Sequence, residues 1–350
     1  MANTEQYVRW LVGGLAVLIV VTILVAGSTS TASFSAYNSA WDGATQLQDI
    51  ADTAEADFST TSDITSYSNN PDALVVILSP DTAYSDSEQE QLRQFVSDGG
   101  TLVIAEDFNP HTNSLLNTLG ASSRVDGQLI RDETNYYRSP NITVATEIKN
   151  ESILSGVGRL TLNHGTSIQA GNATVLARSS GYAYIDSNRN HELDDSESLR
   201  SRPVVTRESI GNGSVVVVSD PSIFINAMAE REGNQQFVRN IFATRSDVIV
   251  DYSHTSSVPP LVSLLLWLRA TPIAQLLVSV VCLTVIGIVT RHRTVVEELI
   301  SDTSQTTIGS STDDDIADYL HRKYPEWSQN QLRKLMAGVM NDGQKEGDDD

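Results

Sequence analysis

The stretch Asp72–Asp107, DALVVILSPDTAYSDSEQEQLRQFVSDGGTLVIAED, predicts a complete strand–helix–strand unit. Residues 73–78 and 101–105 are apolar runs rich in β-branched residues, as expected of strands that are buried on both faces. Between them, Ser85 and Glu88 have the spacing of a capping box, and a Gly-Gly pair ends the predicted helix. A connection that holds one helix favours a parallel, right-handed crossover. The stretch therefore predicts an α/β domain of the Rossmann-like type with a mainly parallel sheet.

The composition restricts the class of function. The chain has 350 residues, with 44 acidic and 23 basic side chains and a formal net charge of −21, and only four of the basic residues are lysines. This Asp-rich, Lys-poor balance is typical of proteins adapted to high salt and argues against direct nucleic-acid binding. The single cysteine, Cys282, lies in an apolar segment. Disulfides within one chain, thiolate catalysis and a cysteine-based zinc site are therefore excluded.

Two uncharged apolar segments, residues 11–27 and 273–290, predict transmembrane helices. The first could instead be a secretory signal peptide, but its length and its weak basic flank favour an uncleaved anchor. The first basic residue after Arg9 is Arg93, and residues 291–293 add positive charge directly behind the second segment. By the positive-inside rule both termini are then cytoplasmic, with the main domain outside the cell membrane.

These segments give a predicted domain organisation. It consists of a cytoplasmic N-terminus at 1–10, a transmembrane helix at 11–27, an extracytoplasmic α/β domain at 28–257, an interfacial segment at 258–272, a transmembrane helix at 273–290, and a cytoplasmic helical tail with a disordered acidic end at 291–350. Within the α/β domain, the Gly-Asn-Gly sequence at 211–213 separates two β-rich runs and predicts a hairpin.

The most specific local pattern is residues 186–197, DSNRNHELDDSE. When the loop is numbered from one to twelve, oxygen-bearing residues occupy the ligand positions of a calcium loop of the EF-hand type, with the backbone carbonyl used at position seven. These residues are Asp186, Asn188, Asn190, Glu192, Asp194 and Glu197. Two features depart from the pattern, because His191 replaces the usual glycine and a strand precedes the loop. The alternatives are a structural calcium clamp and a solvated acidic hairpin.

Polar residues also follow the apolar strands, at the edge where ligands bind in parallel sheets. The candidates for a ligand site at this edge are Ser79, Asp81, Glu106, Asp107, Ser219 and Asp220. The favoured alternative is that they are turn and helix-capping residues. His111 and His164 are predicted to be loop residues and not bases, because the sequence has no G-x-S-x-G nucleophile elbow. We predict no catalytic residue.

Four sequons fall in the predicted exterior domain, at Asn141, Asn150, Asn172 and Asn212. Their number is close to what chance gives in a chain rich in Ser and Thr. They are therefore glycosylation candidates that agree with an exterior location without establishing it.

Three stretches support a family resemblance: DALVVILSP at 72–80, SDSEQEQLRQFVSDGGTLVIAED at 85–107 and GNGSVVVVSDPSIFIN at 211–226. They resemble the membrane family called domain of unknown function 4350 (DUF4350). The resemblance covers residues 35–243 and implies a fold like that of class I glutamine amidotransferases and a halophilic archaeal type. The amidotransferase cysteine does not carry over, since Cys282 stands in an apolar segment far from the unit. The resemblance also implies association with other membrane proteins, including a MoxR-type ATPase system.

Together these patterns predict a non-catalytic, membrane-anchored extracytoplasmic module that binds or scaffolds other membrane components, and not an enzyme. The alternative is a ligand-binding or degenerate hydrolase-like domain that uses the acids at the carboxyl edge of the sheet, with calcium as the only cofactor considered.

Overall fold

The computed structural model describes residues 29–255 and 272–291 continuously, together with isolated positions between residues 14 and 27 and between 259 and 271. The chain divides into one unit that ends at Thr271 and a second that begins at Pro272. The predicted N-terminus at 1–10 and nearly all of the predicted tail at 291–350 lie outside the described residues, as do most of the predicted segments 11–27 and 258–272.

Short strands outnumber helices in the first unit. Its strands are β1 (Asp57–Thr61), β2 (Ala73–Leu78), β3 (Thr101–Ala105), β4 (Arg124–Val125), β5 (Leu129–Asp132), β6 (Tyr136–Tyr137), β7 (Ser139–Ile148), β8 (Leu160–Thr161), β9 (Ile168–Gln169), β10 (Thr174–Ser179), β11 (Ala183–Asp186), β12 (Pro203–Ile210), β13 (Gly213–Val218) and β14 (Asp247–Asp251). Its α-helices are α1 (Gln46–Thr53), α2 (Asp86–Asp98), α3 (His111–Leu119), α4 (Asn226–Ala229) and α5 (Glu232–Phe242). Short 3-10 helices lie at Ile64–Ser66, Ser152–Leu154 and Pro221–Phe224.

The main sheet has ten strands in the order β1-β14-β2-β3-β13-β12-β10-β7-β6, and β8 pairs with β7. The pairs from β1 to β13 are parallel. The pairs from β13 to β6 are antiparallel. The sheet is therefore mixed, and the predicted mainly parallel sheet of a Rossmann-like or glutamine-amidotransferase-like fold is wrong. Part of the reason is that β6 and β7, and β12 and β13, follow one another through short connections, which can only join antiparallel neighbours.

The strand–helix–strand unit forms as predicted, with β2 and β3 parallel and in direct contact. Alternate residues of β2 point to opposite faces, so that Leu74 and Val76 pack in one apolar cluster and Val75 and Ile77 in another. Helices α1 and α5 cover the first face, and α2 and α3 cover the second. Helices on both faces explain why β2 and β3 are continuously apolar.

The sequence signals at the ends of this unit act as expected. The capping box at the start of α2 is formed by both partners, since the Ser85 hydroxyl accepts from Glu88 N and the Glu88 carboxylate accepts from Ser85 N at 2.7 Å. The helix ends at Gly99, whose φ of 134° favours glycine. The Gly-Asn-Gly hairpin also forms, and it joins β12 to β13.

The predicted second span forms helix α6 (Pro272–Arg291). In the part of the chain that the structure describes, no helix has both the length and the apolar character needed to cross a bilayer. The prediction of two flanking transmembrane helices is therefore wrong, and so is the predicted location in the cell membrane with the main domain outside. Uncharged runs near the lower limit of about 17 residues predict an apolar helix more securely than they predict a bilayer crossing.

Candidate functional site

The parallel strands β2, β3 and β13 end at one edge of the sheet, and the residues that follow them meet there. Ser79 N donates to Ala105 O at 2.9 Å, and Glu106 N donates to Val218 O at 3.0 Å, so the ladder continues one residue beyond each strand. The Ser79 hydroxyl donates to Glu106 Oε1 at 3.3 Å. Ser79 has a φ of 40°, a left-handed conformation that turns its side chain toward Glu106.

Glu106 is fully buried and holds the turn between β3 and α3. Its Oε1 accepts from Asp107 N at 2.8 Å and from Asn109 N at 3.0 Å, and its Oε2 accepts from the Thr112 hydroxyl at 3.0 Å. Burial raises the pKa of Glu106 to about 7, although these hydrogen bonds favour the charged form. This carboxylate therefore holds the turn that precedes α3 and is engaged on both oxygens.

Asp220 plays the same part after β13. It is fully buried, its Oδ1 accepts from Ser222 N at 2.7 Å, and its Oδ2 accepts from Asn163 N. It caps the 3-10 helix Pro221–Phe224. Burial raises the pKa of Asp220 to about 7, and the negative charge of Asp107 adds to the effect. The neighbouring Ser219 Oγ is buried and has no hydrogen-bond partner among the described residues.

Asp107 and His164 lie at the same edge and are more accessible than Glu106. Asp107 Oδ1 accepts from Phe108 N at 2.6 Å, and burial raises the pKa of Asp107. Burial lowers the pKa of His164, and the negative charge of Asp107 opposes this shift. His164 Nδ1 lies 3.0 Å from Asn163 Oδ1. The edge therefore holds one acid and one imidazole with partly open access.

Two other predicted residues do not join this group. Asp81 is exposed, and its backbone N donates to His254 O at 2.9 Å. The prediction that His111 is a loop residue is wrong, because it begins α3 and its backbone N donates to Asn109 Oδ1 at 3.2 Å. The structure thus brings Ser79, Glu106, Asp107 and Asp220 to one edge and leaves Asp81 outside it.

The turn at Asn163 was not found from the sequence. Its backbone N reaches Asp220 across 57 residues of chain, and the segment between them includes the irregular strands of the antiparallel half of the sheet. No local sequence pattern around either residue predicts that the two are in contact, because Asp is an ordinary turn residue wherever a strand ends.

The acidic loop at residues 186–197 lies beside this edge. The guanidinium carbon of Arg189 is 5.0 Å from the centre of the Phe108 ring. The loop starts at the end of β11, and its first predicted ligand, Asp186, is only 1% exposed. The structure brings the side chains of Asn188, Asn190 and Asp194 into mutual contact. Across the described part of the chain, no three His, Cys, Asp or Glu side chains are grouped as metal ligands.

The four sequon asparagines differ in exposure. Asn150, Asn172 and Asn212 are exposed, whereas Asn141 is half-buried and its Oδ1 accepts from Arg131 Nη1. Glycosylation at these positions stays a prediction.

Comparisons with known proteins place the chain in a family. DUF4350, a domain of unknown function, matches residues 36–242. No curated protein matches the sequence.

Similar solved structures have low identity and low TM-scores. The IFT52 N-terminal domain (mmIFT52) is 16% identical with a TM-score of 0.43, over 52% of this chain and 81% of that one. A cytoplasmic protein of Salmonella typhimurium LT2 is 13% identical with a TM-score of 0.38, over 58% of this chain and 87% of that one. An exo-β-1,4-mannosidase of Opitutaceae bacterium strain TAV5 is 15% identical with a TM-score of 0.28, and it is matched over 49% of this chain and 24% of its own length.

At these TM-scores the likenesses do not establish a shared fold. The family match covers more than half of the chain and includes both arms of the strand–helix–strand unit, the β12–β13 hairpin and the acids at the sheet edge. The chain is a member of the DUF4350 family.

Proposed function

We propose that the domain is a non-catalytic module that binds or scaffolds a partner protein. The observation that carries the proposal is the hydrogen bonding of the two buried acids at the carboxyl edge of the sheet. Glu106 and Asp220 accept hydrogen bonds from backbone N–H groups of their own turns. Their oxygens are thus occupied in holding the turns after β3 and β13, at the edge where a substrate would otherwise meet them.

A surface for the partner is offered by the segment around the acidic loop. Three large apolar side chains project from it, with exposed fractions of 58% for Tyr182, 49% for Leu199 and 44% for Leu193. We propose that they form one patch, since a contiguous exposed apolar patch marks a protein interaction site. Asp195 and Glu192 are exposed between them, so the surface is apolar with an acidic rim. We infer a protein partner with an apolar contact and a basic surround, since rim charges steer association with the opposite charge.

A ligand-binding or degenerate hydrolase-like role is the second candidate. It is favoured by the proximity of Asp107 to His164 and by the buried Ser219 hydroxyl that has no hydrogen-bond partner within the described chain. In that case the acid and imidazole would contact a small ligand at the sheet edge.

Affinity capture can distinguish the two candidate functions. The full chain is used as bait, and the proteins that it captures from an extract of its source cells are compared between variants. Tyr182→Ser combined with Leu199→Ser removes the proposed contact and leaves the ligand residues of the loop intact. Trp41→Ser is the matched control, because Trp41 is 66% exposed and lies elsewhere on the surface. We expect the same proteins to be captured by wild type and by the control, and to be lost with the double variant.

Equal capture by the double variant and the control would contradict the proposed surface. A small molecule that co-purifies with wild type and is lost with Asp107→Asn would favour the second candidate instead. The MoxR-type ATPase association implied by the family resemblance stays a prediction.

We also propose that the domain works at high salt, as the halophilic resemblance implies. The support is the excess of 44 acidic over 23 basic residues in the chain.

A further inference from the structure

The acidic loop makes two left-handed backbone turns, one of them at the position where a calcium loop of the EF-hand type turns sharply. Arg189 and His191 have φ values of 57° and 68°, in the left-handed region that side chains with a Cβ adopt infrequently. His191 stands at position six, where calcium loops of the EF-hand type carry a glycine to make a sharp turn. The missing glycine is therefore no obstacle here, because His191 makes a left-handed turn at that position.

Asp186, at position one, supplies the observation that points to a ligand. Its side chain has no exposed area, and its Oδ2 accepts from His191 N at 3.0 Å. Arg131 Nε lies 3.9 Å from the same oxygen. The other oxygen, Oδ1, is buried and has no hydrogen-bond partner anywhere in the described residues. A buried carboxylate oxygen without a partner is costly, and a cation bound to it would remove that cost.

Three further ligand positions already converge. Asn188 Nδ2 and Asn190 Nδ2 donate to Asp194 Oδ2 at 2.7 and 3.0 Å. Positions three, five and nine of the loop therefore meet at one carboxylate oxygen. Each amide carries an oxygen beside its nitrogen, and rotation about the terminal side-chain bond exchanges the two. A cation at this point would replace the two amide donors and draw the amide oxygens inward.

The last ligand position closes the loop onto its beginning. Glu197 Oε1 accepts from Ser187 N at 2.9 Å, and Glu197 Oε2 accepts from Asp194 N at 3.2 Å. Position twelve is thus held at position two, although the two residues lie ten positions apart in the chain. Glu197 is thereby held at the residue that follows Asp186, and a cation would draw the carboxylates of Asp186, Asp194 and Glu197 together, since among the described residues they do not already form a group of metal ligands.

We propose that residues 186–197 bind one calcium ion. The ligands are Asp186 Oδ1, side-chain oxygens of Asn188, Asn190, Asp194 and Glu197, and the backbone carbonyl of Glu192. All are oxygens, and three are carboxylates, which is the donor set of a hard divalent cation. A loop that supplies this many oxygens from one flexible segment suits calcium better than magnesium, which requires a strict octahedron and keeps its waters.

The ion would also fix the loop in place. Arg189 contacts the ring of Phe108 in the turn after β3, so an ordered loop is held against the sheet edge. Metal binding can be measured without any partner protein. The test of the calcium site is therefore independent of the test of the proposed partner surface.

The test uses the purified full chain, freed of divalent ions with a chelator and kept at constant, high KCl so that non-specific screening is saturated. Calcium chloride is titrated by calorimetry, and the melting temperature is followed in parallel. Asp194→Asn and Glu197→Gln remove ligands. Asp195→Asn is the matched control, because it removes an equal charge from an exposed, non-ligand position of the same loop.

We expect one calcium ion per chain, a higher melting temperature with calcium, and a smaller effect of magnesium at equal concentration. The Kd of each ligand variant should be roughly tenfold or more above that of wild type, and Asp195→Asn should bind as wild type does. The proposal is overturned if wild type shows no saturable binding, or if Asp194→Asn and Asp195→Asn weaken binding equally. Either result would identify the loop as a solvated acidic hairpin.

Discussion

Glu106 shows how a single buried acid can couple this fold to pH. Its pKa is raised from 4.5 in the free side chain to about 7 by burial. Because the raised pKa means that the folded protein binds the proton more tightly than the unfolded chain, the stabilisation is complete below pH 4.5 and is lost as the pH rises through about 7. Asp220 contributes in the same direction, since burial raises its pKa to about 7 as well.

Glu106→Gln should therefore flatten the pH dependence of stability. The amide oxygen of glutamine can accept from Asp107 N and Asn109 N, and its nitrogen can donate to the Thr112 hydroxyl, so the turn is retained. Relative to wild type, the variant should gain stability from about pH 5 to about pH 8, on the order of 2 to 3 kcal/mol, measured by urea unfolding at each pH.

The control for this prediction is Asp52→Asn, which removes one exposed carboxylate from α1. It should shift the unfolding free energy by a similar small amount at every pH in this range. A slope for Glu106→Gln that equals the slope of wild type would show that Glu106 is already charged in the folded protein.

Residue contacts close in sequence were accessible to prediction, and distant ones were not. The Ser85–Glu88 capping box is a three-residue spacing with its own signature. The bond from Asn163 N to Asp220, by contrast, depends on how the antiparallel half of the sheet folds over the edge. The orphaned oxygen of Asp186 also could not be predicted, because burial is a property of the packed fold.

Among the elements, the β12–β13 hairpin depends on a close approach to helix α2. A Cβ placed on Gly213 would lie 2.2 Å from both Val96 O and Gly100 O. Both are backbone atoms and have little freedom to move. The glycine at this position is thus required by the neighbouring helix as much as by the hairpin turn itself.

Gly213→Ala should lower the free energy of unfolding by roughly 3 kcal/mol, because the added methyl overlaps backbone atoms that are held by the helix end. Chemical denaturation measures the change. Gly158→Ala is the matched control, since a Cβ there meets no atom within 4 Å. Its effect should stay within roughly 0.5 kcal/mol. Equal losses for the two variants would mean that α2 gives way to the methyl group.

The parallel elements were predictable because their signals are local. Each signal occupies only a few consecutive residues: the apolar runs of β2 and β3, the apolar face of α2 and the glycine that ends α2. In the other half, β7 and β10 pair with register shifts, and β4, β6, β8 and β9 have only two residues each. Such short strands lack a period long enough to identify from the sequence.

At the scale of the whole molecule, the sheet topology follows from which strands are separated by helices. β2 and β3 have α2 between them and are parallel, whereas β12 and β13 are joined by a tight hairpin and are antiparallel. A parallel unit at one point of the chain therefore does not determine the rest of the sheet. The mixed sheet still gathers the ends of three parallel strands at one edge, and the acidic loop lies beside it.

The net charge of −21 is the property of the whole chain with the clearest physical consequence. Like charges repel more in the compact state than in the unfolded chain, and salt screens this repulsion. Between about 0.1 and about 1 M KCl, the screening length falls from roughly 10 to roughly 3 Å. We therefore expect the melting temperature of the full chain to rise steadily over this range.

A charge variant tests whether repulsion is the cause. Asp52 and Asp98 are exposed and lie in the last turns of α1 and α2, which contain no basic residue. Replacing both with lysine reduces the repulsion and complements the helix dipoles, so at about 0.1 M KCl the variant should gain about 1 kcal/mol. The gain should shrink as salt is added, because screening weakens both effects.

The charge-conserving pair Asp52→Glu and Asp98→Glu should follow the salt dependence of wild type. If the lysine variant keeps the same slope of melting temperature against salt as this control, the salt effect does not arise from acidic repulsion. The excess of carboxylates would then reflect hydration of the surface alone, and stability at high salt would depend on the apolar cores on the two faces of the sheet.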